Sequence, residues 1–237
     1  MSSVTETSTS TLGKQGELLF RACLIIGVLL CRPGPSVSIP MDRLLNLLFA
    51  NSECMIGLMS LKPQDIVVLI KLLEYGPVRP PYAQIANELF LSASEVHASV
   101  RRARQARLLS GAPGDELPNK SALQEFLVHG VKYAFPPERG ELTRGVPTAH
   151  AAEPLKSRIS AGSDAPPVWP FLEGKTRGYS FAPLYKTVPK AALRDTYLYE
   201  VLALIDALRD GRSRERQIAE EELKLRLESP QHAEIKH

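Results

Sequence analysis

Between Ser94 and Arg107 the sequence S-E-V-H-A-S-V-R-R-A-R-Q-A-R sets polar and cationic side chains at helical spacing. Val96, Val100 and Ala103 recur at i, i+4 and i+7 and turn inward, which leaves Glu95, His97, Arg101, Arg102 and Arg104 facing outward. Such a face suits one kind of chemistry, the reading of base edges and the holding of phosphate. An arginine bonds bidentately to guanine, and a carboxylate accepts from a cytosine amino group. The N-terminal half of a reading helix meets the bases, so Ser94, Glu95, His97, Ala98 and Arg101 are the expected base contacts. Arg102, Arg104 and Arg107 are expected at phosphate. Tyr82 and Gln84, at the start of the preceding helix, are phosphate candidates through that helix end.

Other chemistry finds little support in the residue pattern. His97, His129 and His150 stand singly in separate segments and do not assemble a ligand set. Glu220, Glu221 and Glu222 are consecutive, so they point different ways around a helix and form no carboxylate pair. Cys23, Cys31 and Cys54 are separated by eight and twenty-three residues, which matches no common zinc spacing. No Gly-rich phosphate loop, nucleophile elbow or Cys/His pairing is present. The expectation is a non-enzyme without cofactor or metal, in a reducing compartment, the cytoplasm.

The reading face needs a scaffold. The stretch from Pro81 to Gly111 reads as two helices with a tight turn. Ile85, Ala86 and Leu89 share one face of the first, with small Ala86 where the helices cross. Leu91 to Ser94 form the break, and Ser92 or Ser94 can cap the second helix, because a side-chain oxygen accepts its free N–H groups. Such a pair is what a DNA-reading helix-turn-helix requires. The bland alternative is a helical hairpin with a solvated arginine face.

Ahead of it, Lys62 to Tyr75 forms a helix, with Pro63 and Asp65 in its first turn and Ile66, Leu69, Ile70 and Leu73 as its core stripe. Gly76-Pro77 ends it. After the pair, Leu108 and Leu109 start a strand and A-P-G-D-E-L-P supplies a turn, giving a wing whose second strand is hard to see. Asn119 to Phe135 is a helix capped by Asn119 or Ser121 and stopped by Pro136-Pro137.

Glu138 to Ala192 lacks periodicity and is rich in Pro and Gly. It carries Trp169, Phe171, Tyr179, Phe181 and Tyr185, too many aromatics for a disordered tail. It reads as an ordered, irregular wrap anchored by P-P-V-W-P-F-L-E-G, with the weakest order at Ser157 to Pro167. Asp195 to Leu208 is a helix capped by Asp195, and the dense mixed charge after it reads as a solvated helix.

The chain has 237 residues and a net charge of +3, so a nucleic-acid footprint must be local rather than global. Met1 to Gly13 is expected to be disordered. The apolar core from Ala22 to Cys31 is ten residues, against the roughly 20 that span a bilayer, so no membrane is expected. Met41 to Ala50 is a short amphipathic helix candidate. Translation that begins at Met59 would make residues 1–58 a mis-called extension.

From Met59 onward the chain resembles bacterial MarR-like winged helix-turn-helix proteins. The carrying stretches are L-K-P-Q-D-I-V-V-L-I-K-L-L, S-A-S-E-V-H-A-S-V-R-R-A, F-L-V-H-G-V-K-Y-A-F-P, G-V-P-T-A-H-A-A, V-W-P with G-K-T-R-G, and L-Y-E-V-L-A-L-I-D-A-L-R-D-G-R-S-R-E-R. One departure is Phe90, where the turn usually carries Gly to tolerate positive φ. Phe there either bears strain or forces a longer turn, or instead covers the hydrophobic floor between the helices.

The resulting expectation is a mainly α chain. It comprises an N-terminal extension (1–58, partly disordered), a winged helix-turn-helix domain (59–136), an irregular Pro/Gly-rich wrap (137–192) and a C-terminal helical segment (193–237). The resemblance implies sequence-specific binding of double-stranded DNA by a transcriptional regulator. A single module reads few bases, so a homodimer is expected, through Asp195 to Leu208 or residues 17–50. The other reading is a protein-interaction module, antitoxin-like or a scaffold, with a protein partner and no specific DNA readout.

Overall fold

Helix α1, Pro63–Tyr75, is buried on every side from Asp65 to Glu74. It was expected to show one apolar stripe, yet Val67, Val68 and Leu72 are as enclosed as Ile66 and Leu69. A helix apolar nearly all round belongs at the centre of a core. Its start is fixed by Asp65, whose carboxylate accepts the Lys62 N–H at 2.8 Å. Its end is fixed by Gly76 at φ 62°, whose N–H bonds the Leu72 carbonyl. The computed structural model describes residues 60–112, 115–159 and 165–229. The expectations placed on residues 1–59 (disorder, the apolar window, the short helix, the cysteines, the start at Met59) lie outside the described residues. So do residues 160–164 of the stretch expected to be least ordered.

Helices α2, Tyr82–Leu89, and α3, Ala93–Gln105, pack on α1 through Ile85, Ala86, Leu89, Val96, Val100 and Ala103. Strands β1, Leu109–Ser110, and β2, Leu117–Pro118, follow as an antiparallel pair with Leu109 opposite Pro118. The second strand is invisible in the sequence because it is two residues long and ends in proline. The next expected helix comes in three pieces. α4, Lys120–Glu125, and α5, Val131–Ala134, flank one π turn at Phe126–Gly130. Asn119 caps α4 by accepting the Ala122 N–H at 3.2 Å.

The stretch expected to be irregular contains a three-stranded sheet. β3, Arg139–Pro147, pairs antiparallel with both β4, Pro167–Pro170, and β5, Thr176–Phe181, while β4 runs parallel to β5. The strands come so close that a Cβ on Gly145 would collide with the Trp169 carbonyl, and one on Gly178 with the Pro166 carbonyl. Tightness of this kind demands glycine, and glycine erases the alternation by which a strand is recognised. Short helices α6, Leu155–Arg158, and α7, Val188–Ala192, complete the segment.

Helix α8, Thr196–Asp210, is capped by Asp195, which accepts the Leu198 N–H at 2.9 Å. Every residue from Val201 to Arg209 is buried within the single chain. Asp195 to Leu208 was expected to offer a dimer contact; within the described chain α8 is the axis of the core and presents no broad exposed apolar face. The mixed-charge stretch after it breaks at Gly211 and continues as α9, Ser213–Glu228. Against the expectation of a merely solvated helix, α9 buries Ala219, Leu223 and Leu227 at i, i+4 and i+8. Tyr197 clasps it through a 3.0 Å bond to the Arg226 carbonyl.

Two buried polar clusters join these layers. Asp206, fully enclosed on α8, accepts from Trp169 Nε1 at 2.6 Å, Thr148 Oγ1 at 2.8 Å and Arg209 at 2.7 Å. Burial pushes its carboxyl upward and the Arg209 guanidinium opposes that. Arg209 also donates to the carbonyls of Phe135 and Ala182. The expected Trp169 anchor is thus an indole bonded to the central helix. In the second cluster, Lys71 of α1 meets Glu74 at 2.9 Å, Glu88 of α2 at 3.1 Å and Asp195 at 2.7 Å. Tyr75 donates to Glu88 at 2.6 Å. The described chain is mainly helical with a small sheet, and no described helix is long and apolar enough to cross a membrane.

Candidate nucleic-acid interface

The turn between α2 and α3 is a Schellman motif. Leu91 N–H bonds the Ala86 carbonyl at 2.9 Å and Phe90 N–H bonds that of Asn87 at 3.4 Å. The motif requires a left-handed residue, and Phe90 adopts φ 54°, ψ 42°. A residue with a Cβ loses about 1–2 kcal/mol there. The half-buried ring offsets this: Lys190 Nζ lies 4.1 Å and Arg194 Cζ 4.5 Å from its centroid. Phe90 therefore both bears the strain and covers apolar floor.

Helix α3 opens with a capping box. Ser92 Oγ accepts the Glu95 N–H at 3.2 Å, and Glu95 accepts the Ser92 N–H at 2.8 Å. Tyr185 donates to the other Glu95 oxygen at 3.2 Å. These bonds, led by the one from the Ser92 backbone, hold the Glu95 carboxyl below its usual range. Glu95 was expected to accept from cytosine. In the structure its oxygens cap the start of α3 and accept from Tyr185 of the later segment.

The solvent face of α3 is formed by Ser94, His97, Arg101 and Arg104, all exposed, with Ala98 half-buried beside them. Their spacing of three and four residues places them along one line of the helix. Arg102 leaves this face. Its guanidinium turns inward, bonds Asp65 with Nε at 2.7 Å and Nη2 at 2.5 Å, and also donates to Ser99. The expected phosphate contact at Arg102 is corrected: the i+1 position from Arg101 points about 100° away, into the core.

Arg104 is half-exposed and salt-bridged to Glu116, which sits buried before β2 and also meets Arg79 at 2.8 Å. That pair fixes the hairpin to α3 and moderates the charge Arg104 offers. Arg107 is exposed at φ 59°, in a second Schellman turn that sends Leu108 N–H to the Ala103 carbonyl at 3.0 Å. Gln84 is exposed and donates to Glu88 at 3.3 Å. Tyr82 is half-buried, edge-on to His97 with centroids 6.1 Å apart and under Arg79 at 5.2 Å. Tyr82, His97 and Arg79 thus form one polar-aromatic strip from α2 to α3. His150 stands apart, 3.9 Å from Glu215, and His129 is exposed on the π turn.

Three cations that the sequence reading passed over lie against this site. Lys186, Lys190 and Arg194 are exposed and belong to the segment around α7 that packs on the turn. Only Lys190 lies within α7, with Lys186 and Arg194 in the turns that flank it, and a five-residue helix in a Pro/Gly-rich stretch leaves little periodicity in the sequence. Comparison with protein-family models, with curated proteins and with solved structures finds no match to this chain.

Proposed function

We propose that the chain is a bacterial, cytoplasmic, sequence-specific double-stranded DNA-binding protein of the transcriptional-regulator type, built on a MarR-like winged helix-turn-helix. Helices α1 to α3 followed by a short antiparallel hairpin support this reading. The carrying observation is the division of labour on α3. Arg102 and Ser99 secure the helix from behind, while Ser94, His97 and Arg101 are exposed along its front with Ala98 half-buried beside them.

In this reading the front of α3 enters the major groove and Arg101 bonds a guanine. Arg107 and the exposed half of Arg104 hold phosphate, with Gln84 and Tyr82 at the start of α2. Two copies bind paired half-sites through a surface other than α8.

The test is enrichment of duplexes from a random pool, followed by fluorescence anisotropy on the enriched sequence. Arg101→Ala is expected to weaken binding by about 1–3 kcal/mol and to relax preference at one base position. Failure to enrich any duplex would overturn the reading in favour of a protein-interaction module.

A further inference from the structure

We propose that Lys186, Lys190 and Arg194 form a clamp for the DNA backbone beside the N-terminal end of α3, so that the segment after the sheet holds the duplex together with the helix-turn-helix. This rests on the DNA-binding reading above and extends it to residues outside that motif.

Position is the first argument. The Tyr185 hydroxyl reaches the first turn of α3 at Glu95, and Lys190 and Arg194 cover Phe90 in the turn just before it. A reading helix enters the groove by this end, and the phosphates of the flanking strand run past it. Lys190 lies on α7, Val188–Ala192, and Lys186 and Arg194 lie in the turns at its two ends, all three exposed.

Charge is the second argument. The carboxylates near these cations already have partners. Glu95 is bonded to Ser92, Glu88 to Lys71 and Tyr75, and Asp195 to Lys71 and the Leu198 N–H. Lys186, Lys190 and Arg194 form no ion pair among the described residues, although Lys186 is near enough to Glu95 for its charge to help lower that carboxyl. Two cations over one phenyl ring gain a cation–π attraction each but repel one another. A single cation would cover Phe90 without that repulsion. A polyanion laid across the cluster relieves the repulsion and releases its own counterions, which makes a phosphate backbone the fitting occupant.

The experiment uses the full chain and the enriched duplex, alongside a scrambled duplex of the same length, across a series of salt concentrations. Lys190→Met with Arg194→Met keeps the apolar stems against Phe90 and removes both charges. The expected result is weaker binding to both duplexes by the same factor, a log K against log salt slope lower by about 2, and an unchanged selected-to-scrambled ratio. Adding Lys186→Gln lowers the slope by about 1 more. Lys190→Arg with Arg194→Lys keeps both charges and is expected to keep the wild-type slope, which separates charge from packing. A slope equal to wild type in the double Met variant overturns the clamp while leaving the DNA reading intact. A changed selected-to-scrambled ratio also overturns it, by assigning these residues to bases. Absence of duplex binding by the wild-type chain overturns both.

Discussion

Arg102 donates to both carboxylate oxygens of Asp65, joining the back of α3 to the first turn of α1. Both side chains are almost wholly enclosed, at 8% and 0% exposure. Removing one partner leaves a buried charge alone, which costs about 3–5 kcal/mol. Arg102→Ala is therefore expected to lower the unfolding free energy by that amount in urea titrations. Arg102→Lys should recover little, because one ammonium cannot match a two-point fork. An Arg102→Ala protein as stable as wild type, with weakened DNA binding, would return Arg102 to the phosphate role.

Phe90 makes a separate prediction about rank order. Phe90→Ala keeps the left-handed penalty and loses the ring, whereas Phe90→Gly loses the ring and the penalty together. Ala is expected to be less stable than Gly by about 1 kcal/mol, the reverse of the order in a helix interior. Thermal melts of the two variants decide it, and an Ala variant at or above Gly would contradict the φ of 54°.

Glu74 supplies the pH dependence. Burial, then the nearby Asp195 charge, push its carboxyl up from 4.5 to about 7, against the pull of Lys71. Between those values the folded chain binds more protons than the unfolded one, so stability falls as pH rises. The contribution is complete below about 4.5 and lost as pH passes 7. Wild type is expected to lose about 1–3 kcal/mol relative to Glu74→Gln between pH 5 and pH 8. Denaturant titrations at the two pH values test this, and parallel profiles for the two proteins would refute it.

Trp169→Phe keeps most of the apolar contact but removes the indole donor from Asp206. The buried carboxylate retains Thr148 and Arg209, so the expected loss is about 1–3 kcal/mol rather than collapse. Guanidinium unfolding followed by far-UV circular dichroism measures it. An unchanged midpoint would mean that the 2.6 Å bond contributes nothing net.

Local signals in the sequence were legible where they were strong. The Asp195 cap, the Gly76 stop, the inward row of Val96, Val100 and Ala103 and the anchoring Trp169 all stand where their residue types place them. What escaped depends on partners distant in the chain. Arg101 and Arg102 are adjacent and chemically identical; the helical phase turns Arg102 toward the buried row of Ser99, Val100 and Ala103, and Asp65, 37 residues earlier, makes a guanidinium tolerable there. Glu95 reads as a polar tip until Tyr185, 90 residues later, occupies its second oxygen. The sheet was hidden by its own glycines, and α8 disclosed its helix but not that other elements would enclose it completely.

The Lys71 cluster joins residues far apart along the chain. Asp65 and Arg102 are 37 residues apart, but Lys71 must wait for Asp195, 124 residues downstream. A chain emerging from its N-terminus can therefore close α3 against α1 long before α8 exists. In that interval Lys71, Glu74 and Glu88 lie on a surface still open to water, and Phe90 has neither Lys190 nor Arg194 above it. The helix-turn-helix is drafted early and ratified late, when α8 arrives to cap its own first turn and to seal the lysine beneath it.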